Sequence, residues 1–166
     1  MAAAADLLGI QAAVTCAAAD PDAWQGVADA LADAFPGARP NFLDYDLTRG
    51  PGPVTYQARY EDDYLRSYHA HYRTVVPGFL TWASFPVGHV AALPEIISEH
   101  ELLRSEFWTD WLRPQDDLRQ GALTVLHRSA KRRILFGVLV ERRAASGIMV
   151  PLSQAMRELH PLMRHA

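Results

Sequence analysis

The chain reads as an α+β domain, a central antiparallel sheet of about five strands with helices on both sides. Three observations carry that reading. Apolar residues recur at helical spacing up to Phe35 and again from Pro151, and strand-like alternation takes over in two hairpin-shaped stretches between. The run Arg132 to Arg142 is apolar on both faces, with Ile134, Phe136, Val138 and Val140 against Leu135, Gly137 and Leu139. A strand of that kind belongs in the middle of a sheet covered on both sides. Finally, Ser105 to Gln115 gathers Phe107, Trp108, Trp111 and Leu112 on one face of a short helix and stops near Arg113-Pro114.

The elements follow in order. Ala5 to about Ala19 is an alanine-rich helix whose larger apolar groups include Leu7, Leu8 and Val14. Asp20-Pro21 supplies an N-cap and a first-position proline for a second helix carrying Trp24, Val27, Leu31 and Phe35, which Pro36-Gly37 ends. From Asn41 the pattern alternates, with Leu43, Tyr45 and Leu47 on one face and Phe42, Asp44 and Asp46 on the other. Thr48 to Pro53 is a turn, and Val54 to Ala58 returns as the second strand of a hairpin. A helix from about Glu61 to Arg73 sets Tyr64, Tyr68 and Tyr72 on one stripe. Val75 to Phe85 is a short helix after Pro77, and Gly88 to Leu93 a short strand or an extended crossing segment. Ser98 and Glu101 form a capping box that opens the segment holding the aromatic helix. Leu118 to His127 and Arg132 to Arg142 make the second hairpin, turning at Arg128 to Lys131. The last helix starts at Pro151 and buries Leu152, Met156, Leu159 and Leu162 or Met163, with Pro161 kinking or restarting it. This order suits a PAS- or GAF-like sensor fold, a single domain over residues 1–166.

Bulk properties narrow the function. A net charge of −3 and a pI near 6.1 give no electrostatic footprint for nucleic acid. The basic group Lys131-Arg132-Arg133, flanked by Arg128, Arg142 and Arg143, reads as solvated hairpin ends or as a partner surface. Cys16 is the only cysteine, so no intrachain disulfide forms and a reducing cytoplasm suits the chain. The start MAAAADLLGI lacks a cationic segment, and no apolar run is long enough for a membrane span, so the expected location is cytoplasmic.

Candidate chemistry points to binding rather than catalysis. The stripe Tyr64, Tyr68, Tyr72 presents rings with hydroxyls, either as a pocket wall or as a helix face packed on the sheet. Of Trp108 and Trp111, one is expected to line a pocket and the other to pack in the core. Thr124 sits mid-strand among apolar neighbours, as a ligand contact or bonded to its own backbone. Gly137 leaves a gap in the central strand, for a bulge, a tryptophan or a ligand. Joined by Tyr45, Trp82, Phe107 and Phe136, these residues (Tyr68, Tyr72, Trp108, Trp111 and Thr124) form the candidate ligand-binding set. The seven histidines lack metal-ligand spacing, no G-x-S-x-G turn occurs, and GPGP at Gly50 to Pro53 has no following lysine. No metal, no cofactor and no enzymatic activity is expected.

The same residues carry a resemblance. Leu103 to Trp108 and Asp110 to Gln115 are similar to a run in the N-terminal sensor region of LuxR-type bacterial transcriptional regulators. The branch in question does not read acyl-homoserine lactones. Tyr68-His69-Ala70-His71-Tyr72 followed by Pro77 resembles the family's helix and turn upstream. Two departures stand out: Val76 replaces the aspartate before the turn proline, and Gly78 the aromatic after it. In the lactone-sensing branch that aspartate anchors the ligand amide, so Val76 argues against such a ligand. The resemblance implies a homodimeric sensor of a small organic molecule. Its closing helix would pass occupancy to a helix-turn-helix that these residues do not include, leaving DNA contact to that module.

Overall fold

The computed structural model describes residues 4–49 and 52–166. Five antiparallel strands form one sheet in the order β2-β1-β5-β4-β3, with β1 at Ala38–Asp46, β2 at Val54–Gln57, β3 at Val90–Ala92, β4 at Gln120–Arg128 and β5 at Arg132–Val140. The doubly apolar β5 lies at the centre, as its composition demands. It pairs along its whole length with β1 and nearly as fully with β4. The turn read at Thr48 to Pro53 includes Gly50 and Pro51, which lie outside the described residues.

Alternation along the strands builds two separate cores. Phe42, Phe136, Val138 and Val140 face one way. There they meet helices α1 (Ala4–Ala19), α2 (Trp24–Ala34) and α7 (Arg142–His165), which contribute Ile10, Val27, Leu31, Leu152, Met156 and Leu159. Leu43, Tyr45, Leu135 and Leu139 face the other way, toward a cap of short elements. The cap comprises α3 (Asp62–Ala70), α4 (Phe79–Ser84), α5 (Leu93–Ile96), α6 (Glu99–Leu103) and the aromatic segment Phe107–Leu112. The Ser98–Glu101 capping box opens α6: the Ser98 hydroxyl accepts from the Glu101 amide, and the Glu101 carboxylate accepts from the Ser98 amide.

Three boundaries differ from the sequence reading. The tyrosine helix ends at Ala70 and Tyr72 lies in a following 3₁₀ turn, so the stripe is broken before its third member. The last helix begins at Arg142, and Pro151 and Pro161 both lie inside it. Proline at position 151 favours a helix start, yet Ala144, Ala145, Ile148 and Met149 already pack on the core and carry the helix back to the end of β5. The aromatic segment is not a regular α-helix but a π turn, in which the Arg113 amide bonds the Trp108 carbonyl five residues back at 2.8 Å.

Candidate functional site

Between the sheet and the cap lies an apolar cavity of about 130 Å³. β1 contributes Asn41, Leu43 and Tyr45 to its floor, and β5 contributes Leu135, Gly137 and Leu139. Its roof is Leu65 and Tyr68 of α3, Val76-Pro77, Trp82 of α4, Ile96, Leu102, and Phe107, Trp111 and Leu112 of the π turn. Gly78 begins α4 at φ 75°, and a Cβ there would stand 2.7 Å from Ile96 Cγ2. The aromatic that the family resemblance places at this position has no room, because the roof closes directly over Gly78.

The π turn decides which aromatics reach the cavity. Its extra residue per turn brings Phe107, Trp111 and Leu112 to the buried side and leaves Trp108 half-buried at the edge of the same cluster. Trp111 is the hub of the wall. Its ring lies 5.1 Å from Phe107, 6.1 Å from Tyr60 and 5.2 Å from Tyr68, and its indole N–H donates to the Tyr64 carbonyl at 2.9 Å. Trp108 instead donates to Asp117 Oδ1 at 3.2 Å and stands within reach of the Arg113 and Arg119 guanidinium groups.

The polar groups of the wall form two pairs. The Tyr45 and Tyr68 hydroxyls meet at 3.3 Å. Asn41 Nδ2 donates to the Tyr60 hydroxyl at 3.1 Å, which in turn donates to the Arg39 carbonyl at 3.2 Å. Burial pushes the phenols of Tyr45, Tyr60 and Tyr68 above their ordinary range. All three are therefore neutral hydrogen-bonding groups at neutral pH, unsuited to act as bases.

Of the nine candidate residues, the cavity brings together Tyr45, Tyr68, Trp82, Phe107 and Trp111. Four lie elsewhere. Trp108 is kept off the cavity by the π turn, and Tyr72, beyond the end of α3, packs beside the wall, its ring 6.4 Å from that of Trp111 and 5.0 Å from that of His71. Thr124 and Phe136 are paired across β4 and β5 and face the opposite core. The Thr124 hydroxyl bonds neither a ligand-facing group nor its own backbone, and is buried without a partner among the described residues. Gly137 marks no bulge. The Asn41 side chain fills the space a Cβ would take, with Oδ1 3.0 Å away, and the register shift of this hairpin falls between Val125 and His127. Asn41 and Tyr60 were missed. Asn41 was legible, since the alternation through Leu43 and Tyr45 extends back to it. Tyr60 follows Arg59 at φ 70° in a loop and left no periodic signal.

Among the described residues, no group of three His, Cys, Asp or Glu side chains gathers to hold a metal. Among the same residues, no helix is long and apolar enough to cross a membrane.

No protein-family model matches the chain, and no curated protein matches it significantly. A solved structure does. The fold is similar to that of the VqsR LBD domain from Pseudomonas aeruginosa. The two superpose with a TM-score of 0.69 over 92% of this chain and 90% of that one, at 15% sequence identity. At that identity the likeness establishes a shared fold and leaves the side chains of the cavity to be read on their own chemistry.

Proposed function

We propose that this chain is the small-molecule sensor domain of a LuxR-type transcriptional regulator. The observation that carries the reading is the apolar cavity walled by Tyr45, Tyr68 and Trp111. The fold shared with a domain described as an LBD supports it, as does the Ser105 to Gln115 resemblance. A short stretch of chain and one hydrogen bond join the cavity wall to α7. Four residues after Leu112 comes Asp116, whose carbonyl accepts from the Arg142 amide at 3.2 Å. Ligand contacts on the π turn therefore bias the position of the first turn of α7. Dimerisation and DNA binding complete the proposal, the latter through a helix-turn-helix outside these residues.

Native mass spectrometry of the purified protein, set against its denatured mass, tests this directly. Extra mass on the native species, or a melting temperature that rises with added ligand, is the expected result. A bare native species whose melting depends on protein concentration alone would make the domain a pocketless dimerisation module.

A further inference from the structure

The wall of the cavity restricts what it can hold. Among the described residues its polar side chains are Asn41, Tyr45, Tyr60, Tyr68 and the indoles of Trp82 and Trp111, the latter already bonded to the Tyr64 carbonyl, and none of the lining residues carries a charge. The cation next to this wall, Arg39, is neutralised by two carboxylates, Asp116 and Glu141, both bonded through Nη2, while its carbonyl accepts from Tyr60 and its Nε is buried without a partner among the described residues. A carboxylate or ammonium ligand would be buried unpaired, a cost of several kcal/mol or more. The size is equally restrictive. A dry cavity of roughly 150 Å³ accepts a benzene ring, and this one is about 130 Å³.

The tyrosine pair supplies the remaining term. Tyr45 and Tyr68 are 1% and 4% exposed, and among the described residues each hydroxyl has only the other as partner. One O–H lies between the two oxygens. The second O–H therefore has no acceptor among the described residues, although a buried donor without an acceptor is costly. Their 3.3 Å separation is also longer than the 2.7–2.8 Å typical of paired hydroxyls.

We infer that the cavity takes a neutral, single-ring organic ligand with one hydrogen-bond acceptor, a hydroxyl or carbonyl, seated on the Tyr45–Tyr68 hydroxyls. Phenol is the simplest member of this class. The inference rests on the sensor reading above and narrows it.

Three probes at neutral pH decide it by calorimetry and thermal melting: phenol, benzoate and octanoyl-homoserine lactone. Phenol is expected to bind saturably and raise the melting temperature, and the other two to leave it unchanged. Because either hydroxyl alone can serve the ligand, the matching variant is the double substitution Tyr45→Phe with Tyr68→Phe. It should weaken phenol about tenfold while leaving benzene affinity unaltered. A melt of the unliganded variant checks that it is folded. Binding of benzoate or the lactone without phenol overturns the ligand class but keeps the sensor. Equal phenol binding by the double variant overturns the seat. If none of the three binds, the class falls, and the sensor reading falls with it only when the native mass is also bare.

Discussion

Arg39 and Asp116, 77 residues apart in sequence, meet at 2.6 Å between guanidinium and carboxylate. Glu141, at the end of β5, completes the site at 3.3 Å from the same nitrogen. The arginine is buried whereas Asp116 is nearly half exposed, so the cluster is neither a surface pair nor a fully desolvated one. It ties β1, the loop after the π turn and the start of α7 to one guanidinium.

Arg39→Met is expected to destabilise the domain by about 2 kcal/mol, between the ~1 kcal/mol of an exposed pair and the ~3–5 kcal/mol of a broken buried one. Asp116→Asn should cost less. Its position at φ 61° tolerates asparagine, and Arg39 keeps Glu141. Urea unfolding of both variants gives the comparison, and a larger loss for Asp116→Asn would refute this view of the cluster.

The two tryptophans of the aromatic segment should behave unlike each other. Trp111→Ala removes the hub of the cavity wall and is expected to cost about 3–5 kcal/mol. Trp108→Ala removes a half-buried ring bonded to Asp117 and flanked by two arginines, worth about 1 kcal/mol. Chemical denaturation of the pair decides whether the π turn really gives the two rings different burial. Similar losses would mean that it does not.

Gly137→Ala is predicted to act through Asn41. The added methyl would stand 3.0 Å from Asn41 Oδ1. The amide must then swing away and release the Tyr60 hydroxyl, at a cost of about 1–2 kcal/mol. A double-mutant cycle with Asn41→Ala measures the coupling, and additive losses would place the strain elsewhere.

Thr124→Val should stabilise the domain by about 1 kcal/mol. The hydroxyl is fully buried on the face packed by α7, with no partner among the described residues, so a methyl in its place removes a desolvated group at little steric cost. A melting temperature lower than that of the parent would show that the oxygen is satisfied after all.

The layers of the fold were legible because they rest on period. Alternation placed Tyr45 and Phe42 on opposite faces, and the doubly apolar Ile134 to Val140 had only a central strand to occupy. The site was half legible for the same reason. Tyr45, Tyr68 and Trp111 follow from strand and helix periods, but the edge position of Trp108 depends on a π insertion that no regular period encodes. Thr124 and Phe136 show the complementary limit. Alternation says that they share a face, and only the pairing of α7 with that face says it is not the cavity's. At Pro151 a strong local preference for helix starts lost to the apolar packing of Ile148 and Met149.

His160 gives the domain a pH dependence whose sign is fixed by its surroundings. It lies on α7, 8% exposed, against Gly88, where a Cβ would come within 3.1 Å of its ring. Its Nε2 has no partner among the described residues. Burial lowers its pKa, helped by the nearby Arg164 and His165, although the Val125 backbone pulls the other way. With the folded value below the ordinary value of about 6.5, the unfolded chain binds the proton more readily in the intervening window. The stabilisation is therefore complete above about pH 6.5 and is lost as pH falls through the folded value. His160→Gln should flatten this part of the profile. Unfolding free energies of both proteins at about pH 7.5 and about pH 5.5 provide the check. An unchanged slope in the variant would assign the acid sensitivity to another group.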